Sequence, residues 1–371
     1  MRVPRIPNLA PLVLVLACLT QACTTLGTED RKTLTLHLEN AAQYYDQAHY
    51  QRAYQQWGLA LEVDPLNGKG RLGQAMALYQ LGLEESPAGV SRLQIASERL
   101  NELRYEDLDG LEWQAELGFA LVNDRWVSLY SRKVRLLKYE LAERIVNGSA
   151  GNEEAGDEQV GLDPATRKSK TEELKLATAE LSRHARLAER SYGIVNAGER
   201  EAQYQLTCLV GLAKVTAYRG DFEASLVYVR EYEQQIVRSK RLWRDAVERY
   251  PREAALWQQK LHGAELQEAE LRDLTANVLF KLERIEEAEA ELNVVIELDP
   301  EREGAYLNRG IVRQARGDWD RARQDLRTFL AITARDEKDA SVIEAKRRLK
   351  VVEARVREED EAAVDRLQSG G

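Results

Sequence analysis

Cysteine is scarce in this chain of 371 residues, with 3 in all: Cys18, Cys23 and Cys208. So few thiols exclude a disulfide-stapled scaffold and a cysteine-rich metal site. Histidine is confined to His37, His49, His184 and His262, and no HExxH, GxSxG or glycine-rich phosphate loop occurs. Those absences remove the zinc peptidases, the serine-hydrolase elbow and the P-loop nucleotide sites. Proline (8) and phenylalanine (4) are few, whereas leucine and alanine abound and hydrophobic residues reach 44%. Many helix formers with few helix breakers predict an all-α protein. Positive charge is also short, with 53 Lys and Arg against 62 Asp and Glu. An acidic surface is repelled by phosphate backbones, so nucleic acid is excluded as a partner. Neither metal nor cofactor is expected.

Long apolar runs are missing apart from residues 9–19, an 11-residue stretch preceded by Arg2 and Arg5 and followed by Ala22-Cys23. A membrane-spanning helix needs about 20 apolar residues, and a secretory core only roughly 7 to 15. Ala22-Cys23-Thr24-Thr25 resembles the lipobox of bacterial lipoproteins, with Val15-Leu16-Ala17-Cys18 as a competing box. The resemblance implies a signal peptide over 1–22, acylation of Cys23 and a lipidated tether over 23–33. Thr24, which is not Asp, implies sorting to the outer membrane, facing the periplasm. Loss of 1–22 leaves 51 basic against 62 acidic side chains, a net of −11, so attachment comes from lipid and not from a polybasic patch. Cys208, inside the apolar stretch 204–212, reads as a buried structural thiol.

Self-similarity at a period of 34 stands out. Ala276, Ile285, Ala288, Leu292 and Val295 are followed 34 residues later by Gly310, Trp319, Ala322, Leu326 and Phe329. Small residues fall where two antiparallel helices must approach, large ones fill the space between, and Asp299-Pro300 stops the second helix. An N-terminal copy holds Ala41, Tyr44, Ala48, Tyr50, Ala53, Trp57, Ala60 and Asp64-Pro65. This pattern resembles the tetratricopeptide repeat. The resemblance implies a solenoid of helical hairpins. The next unit keeps Ala75, Leu78 and Gly82, but Pro87 occupies a second-helix position, which places that helix start near Val90. Degenerate units are expected over 111–146 and 199–250. Residues 222–249 and 253–282 read as overlong helices, the latter interrupted by Gly263.

Residues 147–168 hold four glycines and five acidic residues with almost no large apolar side chain, which reads as a flexible linker. It divides an N-terminal lobe (34–146) from a C-terminal lobe (169–335), or it is an insertion in a continuous solenoid. Over 336–371 a charged capping helix and tail carry Val342, Leu349, Val356 and Ala363 at sevenfold spacing.

A solenoid of hairpins offers an inner groove for a peptide or a helix of another protein. Asn277, Asn308 and Lys338 resemble part of the clamp with which some tetratricopeptide domains hold a peptide carboxylate. Asp273 and Val342 stand where that clamp needs Lys and Arg. The expectation is a non-catalytic, membrane-anchored scaffold or adaptor recruiting an envelope protein. The alternative is a regulatory subunit of a periplasmic envelope enzyme, or an enzyme with its site inside 83–264.

Overall fold

The structure, a computed structural model, describes residues 26–84, 86–149, 163–198, 201–337 and 339–369. The signal segment, Cys18 and Cys23 lie outside the described residues. The described residues form an all-α solenoid of thirteen helices with no strand, as the repeat pattern predicts. In chain order these are α1 (Thr28–Asp46), α2 (Tyr50–Val63), α3 (Gly68–Leu81), α4 (Pro87–Leu103), α5 (Glu112–Ser149), α6 (Pro164–Asn196) and α7 (Ala202–Arg219). They continue as α8 (Phe222–Arg249), α9 (Ala254–Lys281), α10 (Ile285–Leu298), α11 (Glu303–Arg316), α12 (Trp319–Ile332) and α13 (Ala340–Ser369). No helix among the described residues is long and apolar enough to cross a membrane.

Each odd-numbered helix pairs with the even one after it, giving six hairpins, and odd helices also touch the next odd one. The odd helices therefore form one wall. Within hairpins the contact residues are small: Ala41, Ala53 and Ala60 in the first, Ala276 and Ala288 in the fifth, Ala305 and Ala322 in the sixth, all buried. α13 covers the last hairpin through Val342, Ala345, Val352 and Val356, which pack with Leu326 and Phe329 of α12. That is the capping role expected of it.

Four hairpin turns share one device. A residue one or two past the first helix is left-handed, at Ala48 (φ 59°), Gly220 (84°), Glu283 (61°) and Gly317 (84°). The following amide then bonds back to the helix: His49 N–H to Tyr44 O at 2.8 Å, Asp221 N–H to Thr216 O at 3.0 Å, Arg284 N–H to Leu279 O at 2.9 Å, and Asp318 N–H to Arg313 O at 2.9 Å. Such a bond satisfies a terminal carbonyl, and glycine makes the conformation without steric cost.

Several boundaries differ from expectation. α1 opens at Thr28, inside the expected 23–33 tether. α4 opens at Pro87 and not near Val90, because Ser86 Oγ accepts from Gly89 N–H at 3.0 Å and proline suits the first helical position, where its missing donor is not needed. Residues 111–146, expected to hold a helix pair, lie in the single 38-residue helix α5. Proline is absent there, and the in-line Gly118 sits close to Met76 and Leu100. α5 pairs with α6, which begins at Pro164 within the expected linker because Asp163 accepts from the amides of Ala165 and Thr166. Most of 147–168 lies outside the described residues, but one apolar cluster unites helices on both sides of it. α8 is a 28-residue helix as read from its lack of breakers, and α9 runs unbroken through Gly263.

The α5–α6 pair is seamed by a stack in which His184 lies on Trp126 (5.6 Å between centroids) and on Tyr130 (5.7 Å). Asn123 Nδ2 donates to Phe119 O at 2.8 Å, so its Oδ1 is the acceptor facing His184 Nδ1 at 2.7 Å. The imidazole must therefore carry its proton on Nδ1.

Two predictions follow from this packing. Glu283→Gly relieves a left-handed glutamate and is expected to stabilise the fold by about 1 kcal/mol, whereas Gly317→Ala is expected to cost about as much; urea midpoints read both. Burial, helped by Arg183 and opposed by Glu180, lowers the His184 pKa from 6.5 to about 4. Between those values the unfolded chain binds a proton that the folded chain does not, so this contribution is complete above pH 6.5 and is lost as pH falls toward 4. The loss is on the order of 2–3 kcal/mol. His184→Gln should be flatter than the parent across that window by this amount; parallel curves would contradict it.

Candidate binding groove

The wall of odd helices surrounds one cavity of about 1920 Å³, lined from α3, α5, α7, α9, α11 and α13. Helical periodicity places side chains such as Asp124, Lys214 and Glu270 on the inner side, while the opposite face of each helix serves the hairpin contact. The described lining carries nine Lys or Arg and ten Asp or Glu. That near-neutral mixture, set against a chain of net −9, favours neither a polyanion nor a polycation.

At the centre, Lys214 of α7 bridges two neighbouring helices. Its Nζ lies 3.0 Å from Asp124 Oδ2 on α5 and 3.1 Å from Glu270 Oε1 on α9. Burial works against the ammonium, but the two carboxylates outweigh it and hold the Lys214 pKa well above its ordinary value. The same ammonium holds Glu270 below the usual carboxylate range, against burial. Tyr79 and Tyr192 line the same cavity, and burial raises both phenol pKa values above the ordinary range. Asp124 Oδ1 is buried and takes no hydrogen bond from the protein.

One helix further along, Asp273 of α9 accepts from Asn308 Nδ2 at 2.8 Å and lies 3.6 Å from Arg302 Nη2. Burial raises the Asp273 pKa, with Arg302 and Asn308 acting against the shift. The structure thus brings Asn277 and Asn308 to the same cavity. Both amides are engaged with one residue: Asn308 with the Asp273 carboxylate, Asn277 Nδ2 with the Asp273 carbonyl at 2.8 Å. Lys338 lies outside the described residues. Val342 is buried in the α12–α13 core and does not face the cavity. Sequence reasoning missed Asp124, Lys214 and Glu270, which come together only through contacts between three successive inner helices.

The remaining candidates for chemistry sit elsewhere. Cys208 is fully buried, and burial pushes its thiol up to about 12, which leaves an inert sulfur. His37 Nδ1 lies 2.9 Å from Gln56 Oε1, while His49 packs near the Tyr44 ring. No metal-binding group of His, Cys, Asp or Glu occurs among the described residues.

No protein-family profile matches the chain, and no curated protein matches its sequence. Among solved structures it is similar to a tetratricopeptide repeat protein from Parabacteroides merdae, at 14% identity over 86% of this chain and 99% of the other, with a TM-score of 0.32. It is also similar to the TPR2AB domain of yeast Sti1 in its pHSP90 complex (14% identity, 87% and 99% covered, TM-score 0.25). A third is the P58(IPK) TPR domain (13%, 88% and 99%, TM-score 0.23). Scores this low carry no argument, and the fold rests on this chain's own helix pairing.

Removal of the Lys214 charge leaves Asp124 and Glu270 facing each other without a counter-ion. Lys214→Met is therefore expected to lose on the order of 2–4 kcal/mol at pH 7 and to regain part of it near pH 5, as a carboxylate takes up a proton. Guanidinium unfolding at the two pH values checks it; a variant as stable as the parent at pH 7 would overturn the central role given to Lys214.

Proposed function

We propose that this chain is a non-catalytic scaffold whose inner wall holds a segment of another protein, anchored by acyl chains on Cys23 to the periplasmic face of a bacterial outer membrane. The observation that carries the reading is the cavity lined by successive inner helices, with acids and bases interleaved along it. Interleaved charge and amide groups suit the alternating donors and acceptors of a polypeptide segment, whose backbone offers both. Asn277, Asn308 and Lys338 belong to this wall in the proposal. The anchor is supported by Ala22-Cys23-Thr24 after an apolar run. α1 opens only a few residues after Cys23, so the wall stands close to the bilayer. The partner is thus an envelope protein met at the membrane surface, and location and groove act together in its assembly.

Photo-crosslinking from inside and outside the wall tests this. A benzophenone side chain replacing Asn277, in the cavity, should trap a discrete envelope protein in intact cells. The same group replacing Val237, which is 71% exposed on α8, should not. Equal adducts from both positions, or none from Asn277, would sink the groove. Cys23→Ala should abolish both the adduct and membrane fractionation; retained fractionation would refute the anchor.

A further inference from the structure

Five inner helices close on themselves. α5 touches α7, α7 touches α9, α9 touches α11, α11 touches α13, and α13 touches α5 again. Four of these seams are backed by apolar packing. α5 and α7 share a cluster with Ala115 and Leu212, and α7 and α9 share one with Leu206 and Leu271. α9 and α11 share Ala276 and Val312, and α11 and α13 share Leu307 and Val342. Among the described residues no apolar cluster joins α13 to α5.

That fifth seam carries charge. Arg132 Nη2 of α5 donates to Asp339 Oδ2 at 2.7 Å, across 207 residues of sequence. Asp339 sits at the mouth of α13, where its Oδ1 accepts from Ser341 N–H at 2.8 Å and lies 3.8 Å from Arg335 Nη1. The carboxylate is thus fixed and only 5% exposed, while the Arg132 side chain is 50% exposed. The two sides of the seam are unequal: one is built into a helix cap, the other is a half-exposed side chain on α5.

We propose that the α5–α13 seam is the entrance to the cavity, a salt-sensitive clasp that parts to admit a partner segment from the side and closes behind it. The proposal rests on the reading of the cavity as the binding site and deepens it by stating how the site is reached. A permanently closed ring admits only a chain with a free end, whereas a parting ring also takes a loop or helix from the middle of a folded partner. Ion pairs also cross other seams, as Lys214 does between α7 and its two neighbours, but among the described residues this is the one seam with no shared apolar cluster behind its charge, so it opens without exposing an apolar core.

The clasp is tested by electron–electron double resonance between nitroxides at Lys138→Cys and Lys350→Cys, both exposed positions on α5 and α13. The full chain is used with Cys18→Ala and Cys23→Ala, and the buried Cys208 stays unlabelled. At about 0.05 M NaCl the distance distribution should be narrow. At about 1 M NaCl, where the screening length falls to roughly 3 Å, it should broaden roughly twofold and move to longer distances. Arg132→Glu should show that broadening at either salt, and Arg132→Lys should keep the narrow distribution. An Arg132→Glu protein with native helix content and the parent's narrow distribution at both salts overturns the proposal. If Arg132→Glu loses helix content, Arg132→Gln is judged by the same criterion. No partner is present in the measurement, so an unmoved distance sinks the clasp and leaves the groove standing, whereas a failed crosslink from Asn277 sinks the groove and the entrance role with it, whatever the distance shows.

Discussion

The whole architecture depends on paired helix backbones coming close enough for alanine to be the contact residue. Ala41, Ala53, Ala60, Ala276, Ala288, Ala305 and Ala322 are all at most 1% exposed. At such separations one large side chain fills the space that small neighbours leave, as Trp57 does over Gly73, where a Cβ would come within 2.2 Å of the indole. Packing of side-chain ridges into the grooves of the facing helix restricts how each helix crosses its neighbour. Small residues on the ring helices themselves, Ala276 on α9 and Ala305 on α11, and on their outer partners, Ala288 and Ala322, set how closely each hairpin packs.

Apolar packing fixes the distance between helices, and charge fixes their register. Between α10, α11 and α12, Arg309 grips Asp325 through two bonds of 2.8 and 3.0 Å, and Arg313 joins Asp325 to Glu289 at 2.8 and 2.9 Å. Asp325 and Glu289 are 3% and 8% exposed, so each carboxylate depends on its guanidinium partners for compensation. A hairpin slipped by one residue would leave those carboxylates buried without a cation, which costs several kcal/mol, whereas apolar side chains tolerate a small slip. The two kinds of contact therefore divide the work between cohesion and alignment.

How much of this the sequence discloses depends on the range of the signal. The first, fifth and sixth hairpins are legible because small and large residues recur inside about 34 positions, with Asp-Pro stops after the first and fifth. The α5–α6 pair is illegible by that criterion. Its helices run 38 and 33 residues without an internal stop, and their pairing is written in Asn123, Trp126, Tyr130 and His184, residues with no repeat grammar. The groove is harder still. Lys214 meets Asp124 across 90 residues of sequence, and Arg132 meets Asp339 across 207, so no local pattern announces either pair. Asn277 and Asn308, 31 residues apart and so off the period of 34, are visible only through the resemblance to a carboxylate clamp, and both reach the cavity.

A ring whose inner face was as apolar as its hairpin cores would not remain hollow, since apolar walls gain by meeting. Interleaved acids and bases on the inner wall remove that gain, because burying them against one another costs more desolvation than their attraction returns unless each finds a well-placed partner. Lys214 with Asp124 and Glu270, and Asp273 with Arg302 and Asn308, pair side chains along the wall. The pairs hold neighbouring inner helices while leaving the surface wet. The same logic explains why the ring's last seam differs from the others. α13 must cover the apolar end of the sixth hairpin, and its buried face is used for that. The part that meets α5 is its capped beginning, with Asp339 as the group on offer. Among the described residues that contact joins no apolar cluster, whereas an apolar seam gains about 25 cal/mol for each Å² it buries. The last seam is thus polar because α13 touches α11, α12 and α5 but spends its apolar face on the first two.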